Sequence, residues 1–303
     1  MVDGNILEIH SLTKSFGDKK VICGLDLSVP YGKIFGFVGR NGVGKTTVMK
    51  TVLGLLKPDS GEIFVNGERV EYGRYSTNRY VGYLPDVPEF YQFMTPVEYL
   101  RLCGECSGMS KGEIEKRSLE LLALVGLTDE SGKGIKGFSR GMKQRLGIAQ
   151  ALFNRPKLLL CDEPTSALDP VGRREILDIL LSVKSETTVV FSTHILSDVE
   201  RICDNVALLE GGVIAMQGGV EELKRMNVTR EFSLETVSSD GLEMVIKRFP
   251  ECKTEGASQI VFNGGDELMR EVMLFVAEKG IAISKIERHE PSLESLCMEV
   301  IAK

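Results

Sequence analysis

Residues 39–47 read GRNGVGKTT. The run fits G-x-x-x-x-G-K-[ST], and it lies between an apolar strand-like stretch, KIFGFVG (33–39), and a helix-compatible one, TTVMKTVLGLL (46–56), which is the context the motif requires. Backbone N–H groups of such a loop, and of the helix that follows, point inward and bind phosphate oxygens. Gly39, Gly42 and Gly44 allow a close approach that a β-carbon would block, and Arg40, Asn41, Val43 and Thr47 complete the cradle. In this reading Lys45 reaches the β and γ phosphates and the Thr46 hydroxyl ligates Mg²⁺. A glycine turn before a helix, with no ligand, would not call for the Lys-Thr pair.

A second half-site is KLLLCDEP (157–164), an apolar strand ending in two acids. At the carboxyl edge of a parallel sheet, where ligands bind in such folds, Asp162 supports Mg²⁺ and Glu163 polarises an attacking water. An acidic turn after a strand is common in solvent, so this stretch gains its meaning from the phosphate loop.

The chain has 303 residues, enough for one large domain and a small one. Apolar residues are 43% and charged residues 26%, a soluble globular composition. A net charge of -6 provides no basic field for a polyanion, so nucleic acid is not expected as a partner. No stretch is long and apolar enough to span a bilayer, and the first residues lack a secretory pattern. Seven cysteines without that pattern imply free thiols in a reducing compartment. Cys103 and Cys106 form a lone C-x-x-C in a helical pattern and read as helix packing, and His10, His194 and His289 are too scattered for a metal cluster.

Strand-like runs separated by turn signals, including Asn66-Gly67, dominate the first 70 residues. A helical pattern then runs from about 95 to 154, and short buried-type strands return at 157–161, 187–192 and 205–210. Strands alternating with helices imply an α/β fold on a parallel sheet covered on both faces, with an inserted helical subdomain at about 90–152. The expected division is a domain over 1–220 and a small α+β domain over 221–303, whose tail places Leu293, Leu296, Val300 and Ile301 on one helical face.

With both half-sites in hand, the chain resembles the ATP-binding cassette (ABC) ATPases over about residues 5–220. More narrowly it resembles the separate-chain, export-type ATPase subunits of bacterial ABC transporters. The resemblance implies a P-loop NTPase fold with an N-terminal antiparallel β subdomain, ATP and Mg²⁺ as ligands, and ATP hydrolysis coupled to transport. FSRGMKQR (138–145) is similar to the family signature, usually LSGGQ, which binds the γ phosphate of ATP held by the other subunit. Ser139 and Gly141 carry over, whereas Arg140 replaces a glycine and Met142 the glutamine. Physically, Ser139 caps a helix whose N–H groups present a positive end to an anion. SALD (166–169) resembles the D-loop with Asp169, and His194 in FSTH resembles the switch histidine. Phe16 matches the aromatic that stacks on adenine.

GYLPD (82–86) falls where the family has its Q-loop, with Asp86 in place of glutamine. An ionised aspartate only accepts hydrogen bonds but is a better ligand for a hard cation, so Asp86 is expected to reach Mg²⁺ or its water. Beyond it, Phe90, Tyr91, Phe93 and Met94 read either as a groove for a membrane partner or as core of the helical subdomain. The resemblance implies a second ATPase subunit in a homodimer, separate membrane permease subunits, and a cytoplasmic position on the inner face of the cell membrane through those subunits. A soluble ABC ATPase remodelling a ribosome or nucleic acid is the rival reading; it usually carries two cassettes or a coiled-coil insertion. HEPSLESLCMEVI (289–301) looks like the ending of the small domain found in export-type subunits.

Overall fold

The computed structural model describes residues 4–226, 231–255, 258–288 and 292–301; Arg230, at the head of an expected strand, and His289 to Pro291, at the head of the tail, lie outside them. The chain divides into two compact units, Met1–Val220 with Val300–Lys303, and Glu221–Glu299.

In the first unit, β1 (Asn5–Phe16), β2 (Lys19–Pro30), β4 (Ser60–Val65) and β5 (Glu68–Arg69) form an antiparallel sheet in the order β2-β1-β4-β5. Asn66 and Gly67 turn β4 into β5 with φ of 51° and 77°, the left-handed pair that a tight hairpin requires. A second sheet has the order β10-β9-β3-β8-β7-β6, from β3 (Ile34–Val38), β6 (Val81–Leu84), β7 (Leu158–Cys161), β8 (Thr188–Thr193), β9 (Asn205–Glu210) and β10 (Val213–Gly219). Its five strands from β9 to β6 run parallel, while β10 pairs with β9 antiparallel, so the expected parallel sheet carries one antiparallel edge. Every residue of β3, β7 and β8 is buried, as strands between two covering layers must be.

The register of these three strands builds the site. Val38 lies opposite Thr193, and Cys161 opposite Phe191, so the phosphate loop, the Asp162-Glu163 pair and His194 leave the sheet side by side at its carboxyl edge. Helices α1 (Lys45–Val52), α5 (Pro170–Ser182) and α6 (Leu196–Ile202) follow β3, β7 and β8, respectively. Between β6 and β7 the chain inserts α2 (Pro96–Cys106), α3 (Lys111–Leu124) and α4 (Arg140–Ala151). Thr95 with Glu98, and Ser110 with Glu113, form capping boxes that fix where α2 and α3 begin. The end of α4 presses on β6 at Gly82, where a β-carbon would stand 2.1 Å from the Ala151 carbonyl oxygen. No side chain larger than hydrogen fits there.

The aromatics after β6 divide between the two expectations. Phe90 packs edge-on against Tyr99 of α2 at 4.9 Å, while Tyr91 is half exposed and Phe93 is 80% exposed. Cys103 and Cys106 both lie in α2, and all seven cysteines are free thiols.

Helix α7 (Val220–Met226) ends the first described segment. The second unit pairs β11 (Glu231–Thr236), β12 (Lys253–Glu255), β13 (Gln259–Asn263) and β14 (Ile283–Arg288) as the antiparallel sheet β12-β13-β11-β14, with α8 (Ser239–Arg248), α9 (Gly265–Glu278) and most of α10 (Leu293–Ile301). Its core has Phe232 stacked on Phe262 at 4.8 Å and Phe249 edge-on to Phe262. Strand β12 escaped sequence reading because its three residues, Lys-Thr-Glu, are all exposed and carry no apolar alternation. Among the described residues, no helix is long and apolar enough to cross a membrane.

Candidate active site

The loop after β3 delivers a bare helix end. Gly44 stands at the N-cap of α1 with φ of 119°, a conformation that side-chain-bearing residues rarely adopt, and a β-carbon there would approach the Ile22 side chain to 2.8 Å. No side chain caps α1 and no acid sits in its first turn, so its leading N–H groups are open to an anion. Lys45, only 5% exposed, donates from Nζ to the carbonyl oxygens of Gly39 (2.6 Å) and Arg40 (3.1 Å), which fold the loop around it.

The loop after β7 meets this end from the neighbouring strand. Thr46 Oγ1 donates to Asp162 Oδ2 at 2.6 Å, and Ser192 Oγ on β8 donates to Asp162 Oδ1 at 2.7 Å. The Glu163 N–H in turn donates to Ser192 Oγ at 2.9 Å. Glu163 itself adopts φ of 48°, a strained backbone for a residue with a side chain. Its Oε2 lies 3.0 Å from Nδ1 of His194. Its Oε1 lies 2.9 Å from Lys45 Nζ; the approach is an ion pair whose angle does not suit a hydrogen bond, and Oε1 has no hydrogen-bond partner. The carboxylate is thus held between an ammonium and an imidazole by charge on one side and polar contact on the other.

Thr46 Oγ1 and Asp162 offer two hard oxygen donors side by side, the acid only 3% exposed. Mg²⁺ takes one or two protein oxygens and completes its octahedron with phosphate and water, so this donor set fits that ion as a companion of a phosphorylated substrate. Among the described residues, no cluster of three or more His, Cys, Asp or Glu could hold a metal by itself. Behind the acids, burial pushes the Cys161 thiol up, and the Asp162 charge adds to it. Burial likewise pushes the Tyr83 hydroxyl up to about 12, with the charges of Asp162, Cys161 and Asp86 adding to it.

A cavity of about 370 Å³ opens over these groups. Asn41, Gly42, Gly44, Lys45, Thr46 and Thr47 line one side and Glu163, His194, Ser166 and Asp86 the other. Asp86 reaches it from the end of β6: Ser166 Oγ donates to its Oδ1 at 2.5 Å, and Gln144 Nε2, from fully buried Gln144 on α4, donates to its backbone oxygen at 2.6 Å. Arg140 Nη2 stands 3.4 Å from the same Oδ1.

Other expected site residues stand apart from this cavity. Phe16 is 50% exposed near the end of β1, with Lys14 Nζ 5.3 Å from its ring centre. Ser139 caps α4 by accepting from the Met142 N–H at 3.2 Å, and Asp169 caps α5 by accepting from the Gly172 N–H at 3.1 Å. Neither they nor Gly141 line the cavity of their own chain. Sequence reasoning missed Ser192 and Gln144. A serine inside FSTH and a glutamine on an amphipathic helix carry no motif, and only a buried polar atom with an acid opposite would have marked them.

Residues 22–166 match the ABC transporter family. The uncharacterised ABC transporter ATP-binding protein YxlF of Bacillus subtilis is 38% identical over 98% of this chain and 99% of its own length. The chain belongs to the ABC transporter ATP-binding protein family. This ABC subunit also aligns at 37% identity with the bacitracin transport ATP-binding protein BcrA of Bacillus licheniformis, over 98% of the chain and 97% of that protein. Among solved structures, it superposes on an ATP-binding subunit of an ABC transporter with a TM-score of 0.66 at 32% identity, covering 73% of this chain and 92% of the other. The cbiO1 protein of Clostridium perfringens, part of an ABC transporter complex, gives 0.69 at 26% identity, covering 82% and 97%. The fold is therefore the P-loop ABC cassette, and the subunit binds ATP and hydrolyses it to power transport.

Proposed function

We propose that this ABC subunit uses the cavity over α1 as its hydrolytic ATP site, with each polar group in a separate role. Lys45 and the N–H groups of the loop hold the β and γ phosphates. Thr46 and Asp162 hold Mg²⁺, which on binding supplies charge neutralisation at those phosphates. Glu163 orients and deprotonates the attacking water, and His194 steadies Glu163 at the γ-phosphate end. The carrying observation is that Lys45, Thr46, Asp162, Glu163 and His194, from three strand ends, meet in one network of contacts between 2.6 and 3.0 Å. A positioned base contributes about 10² to 10⁴ in rate.

The rest of the machine follows from groups that stay outside this cavity. Ser139 and Gly141 at the start of α4 act on ATP held by a second copy, and Asp169 lies across that homodimer contact. Phe16 stacks on the adenine of the same chain. Permease subunits hold the dimer on the inner face of the membrane, and the exposed Tyr91 and Phe93 face them. Near full-length similarity to the bacitracin transport subunit of Bacillus licheniformis supports export as the direction, with the unit from Glu221 onward as an accessory domain of the same export-type chain.

Glu163→Gln tests the site. The variant keeps the shape and removes the base, so turnover falls by about 10² or more while ATP still binds and drives a stable dimer. Unchanged hydrolysis would end this assignment.

A further inference from the structure

Two departures from the family pattern meet in space. Asp86 stands where glutamine is usual and Arg140 where glycine is usual, 54 residues apart, yet Arg140 Nη2 lies 3.4 Å from Asp86 Oδ1. Ser166 joins them, donating to Asp86 Oδ1 at 2.5 Å with its own Oγ 3.4 Å from Arg140 Nη2. Three loops are thereby tied at one point: the exit of β6, the start of α4 and the segment after β7. Two of the anchors are firm. Gln144 grips the Asp86 backbone, and Thr165, beside Ser166, donates to buried Asp198 at 2.9 Å.

The charge pair itself is loose. Both side chains are nearly half exposed, and ion pairs in that setting are weak. A bond that weak does not hold a fold together, but a competing charge can break it. Asp86 lines the same cavity as Lys45 and Thr46, so triphosphate bound there sets like charge in the cavity that its carboxylate borders. Arg140 is the group released, at the N-terminal end of a helix capped by Ser139, where a guanidinium suits a phosphate fork.

We infer that Asp86 and Arg140 form a nucleotide-sensitive latch, in which Asp86 holds the Arg140 guanidinium within its own chain and triphosphate in the cavity frees it to contact the phosphates bound by a second copy. Arg140 is then a phosphate-binding residue acting across the dimer, and Asp86 is a positioning residue that acts through it. The inference rests on the ATP site and the dimer proposed above.

The test is a double-mutant cycle in the full chain, reading KM and kcat for ATP and, in a Glu163→Gln background, the ATP concentration that half-saturates dimer formation by size-exclusion chromatography. Asp86→Asn lowers KM and the half-saturating concentration about two- to fivefold, the worth of an exposed pair. Arg140→Gln raises both concentrations, and the double variant matches Arg140→Gln alone because no guanidinium remains to release. Asp86→Glu, which keeps the charge, returns the wild-type values. If Asp86→Asn acts equally with and without Arg140, or has no effect, the latch is overturned. A Lys45→Ala variant that leaves KM unchanged overturns the ATP site, and a Glu163→Gln chain that never dimerises with ATP overturns the dimer; either takes the latch with it but is read apart from it.

Discussion

Thr46 donates its hydroxyl to Asp162 across 2.6 Å, joining two motifs that stand 116 residues apart in the chain. The contact places a helix-end oxygen and a nearly buried carboxylate where one Mg²⁺ would touch both. Thr46→Val, nearly isosteric, removes one oxygen and leaves Asp162 with the Ser192 bond alone. The expected outcome is a loss of about 10- to 100-fold in apparent Mg²⁺ affinity, with smaller loss of metal-free nucleotide binding. Titrating Mg²⁺ against ATP turnover checks it, and an unchanged Mg²⁺ midpoint would remove Thr46 from the metal site.

Ser192 spans Asp162 and the Glu163 N–H from fully buried β8. Ser192→Ala leaves an acceptor and a donor without this partner in the interior, at a cost of about 1–3 kcal/mol. Thermal or denaturant unfolding should show that loss. Turnover should fall beyond the stability change, since the serine also fixes the backbone from which Glu163 projects.

The Tyr83 hydroxyl is pushed up to about 12 because it is partly buried beside acidic groups. Its folded-state value lies above the unfolded one near 10, so the stability it contributes is complete below about pH 10 and is lost as pH rises through 12. Between those values the wild type should lose stability with pH more steeply than Tyr83→Phe. Equal slopes in alkaline denaturation would argue against a partly buried neutral hydroxyl at this position.

The cysteines should react in an order set by burial. Cys23 and Cys106 are exposed, whereas burial pushes the thiols of Cys161 and Cys203 well up and that of Cys103 up to about 11. A thiol reagent at mildly alkaline pH should label Cys23 and Cys106 quickly, Cys103 and Cys203 more slowly, and Cys161 only when the chain unfolds. Rapid modification of Cys161, which precedes Asp162 in β7, would mean that this strand opens in the native state.

Much of this architecture is written locally. The nine residues GRNGVGKTT determine a tight loop and the start of a helix because glycine tolerates the φ of 119° at Gly44 and because nothing else in the run competes for the α1 N–H groups. The largely apolar runs of β3 and β7 and the apolar centre of β8 determine buried parallel strands, and Thr95 and Ser110, each with a glutamate three residues on, determine where two helices start. Such features depend on neighbours within a few residues and are legible without the fold.

The partners of the charged groups are another matter. That Glu163 stands between Lys45 and His194, that Ser192 serves two groups at once, and that Asp86 meets Ser166 and Arg140 follow from strand order and register. The acid at position 86 could equally have been a metal ligand or a solvated loop residue by its sequence alone. Its backbone bond to Gln144 and its side-chain contacts exist because α4, 54 residues further along, packs over Gly82 at the end of β6. Loop chemistry is decided in the sequence by local sterics, whereas the pairing of charges is decided by which strand ends the sheet brings together, and here only the tertiary structure made that choice.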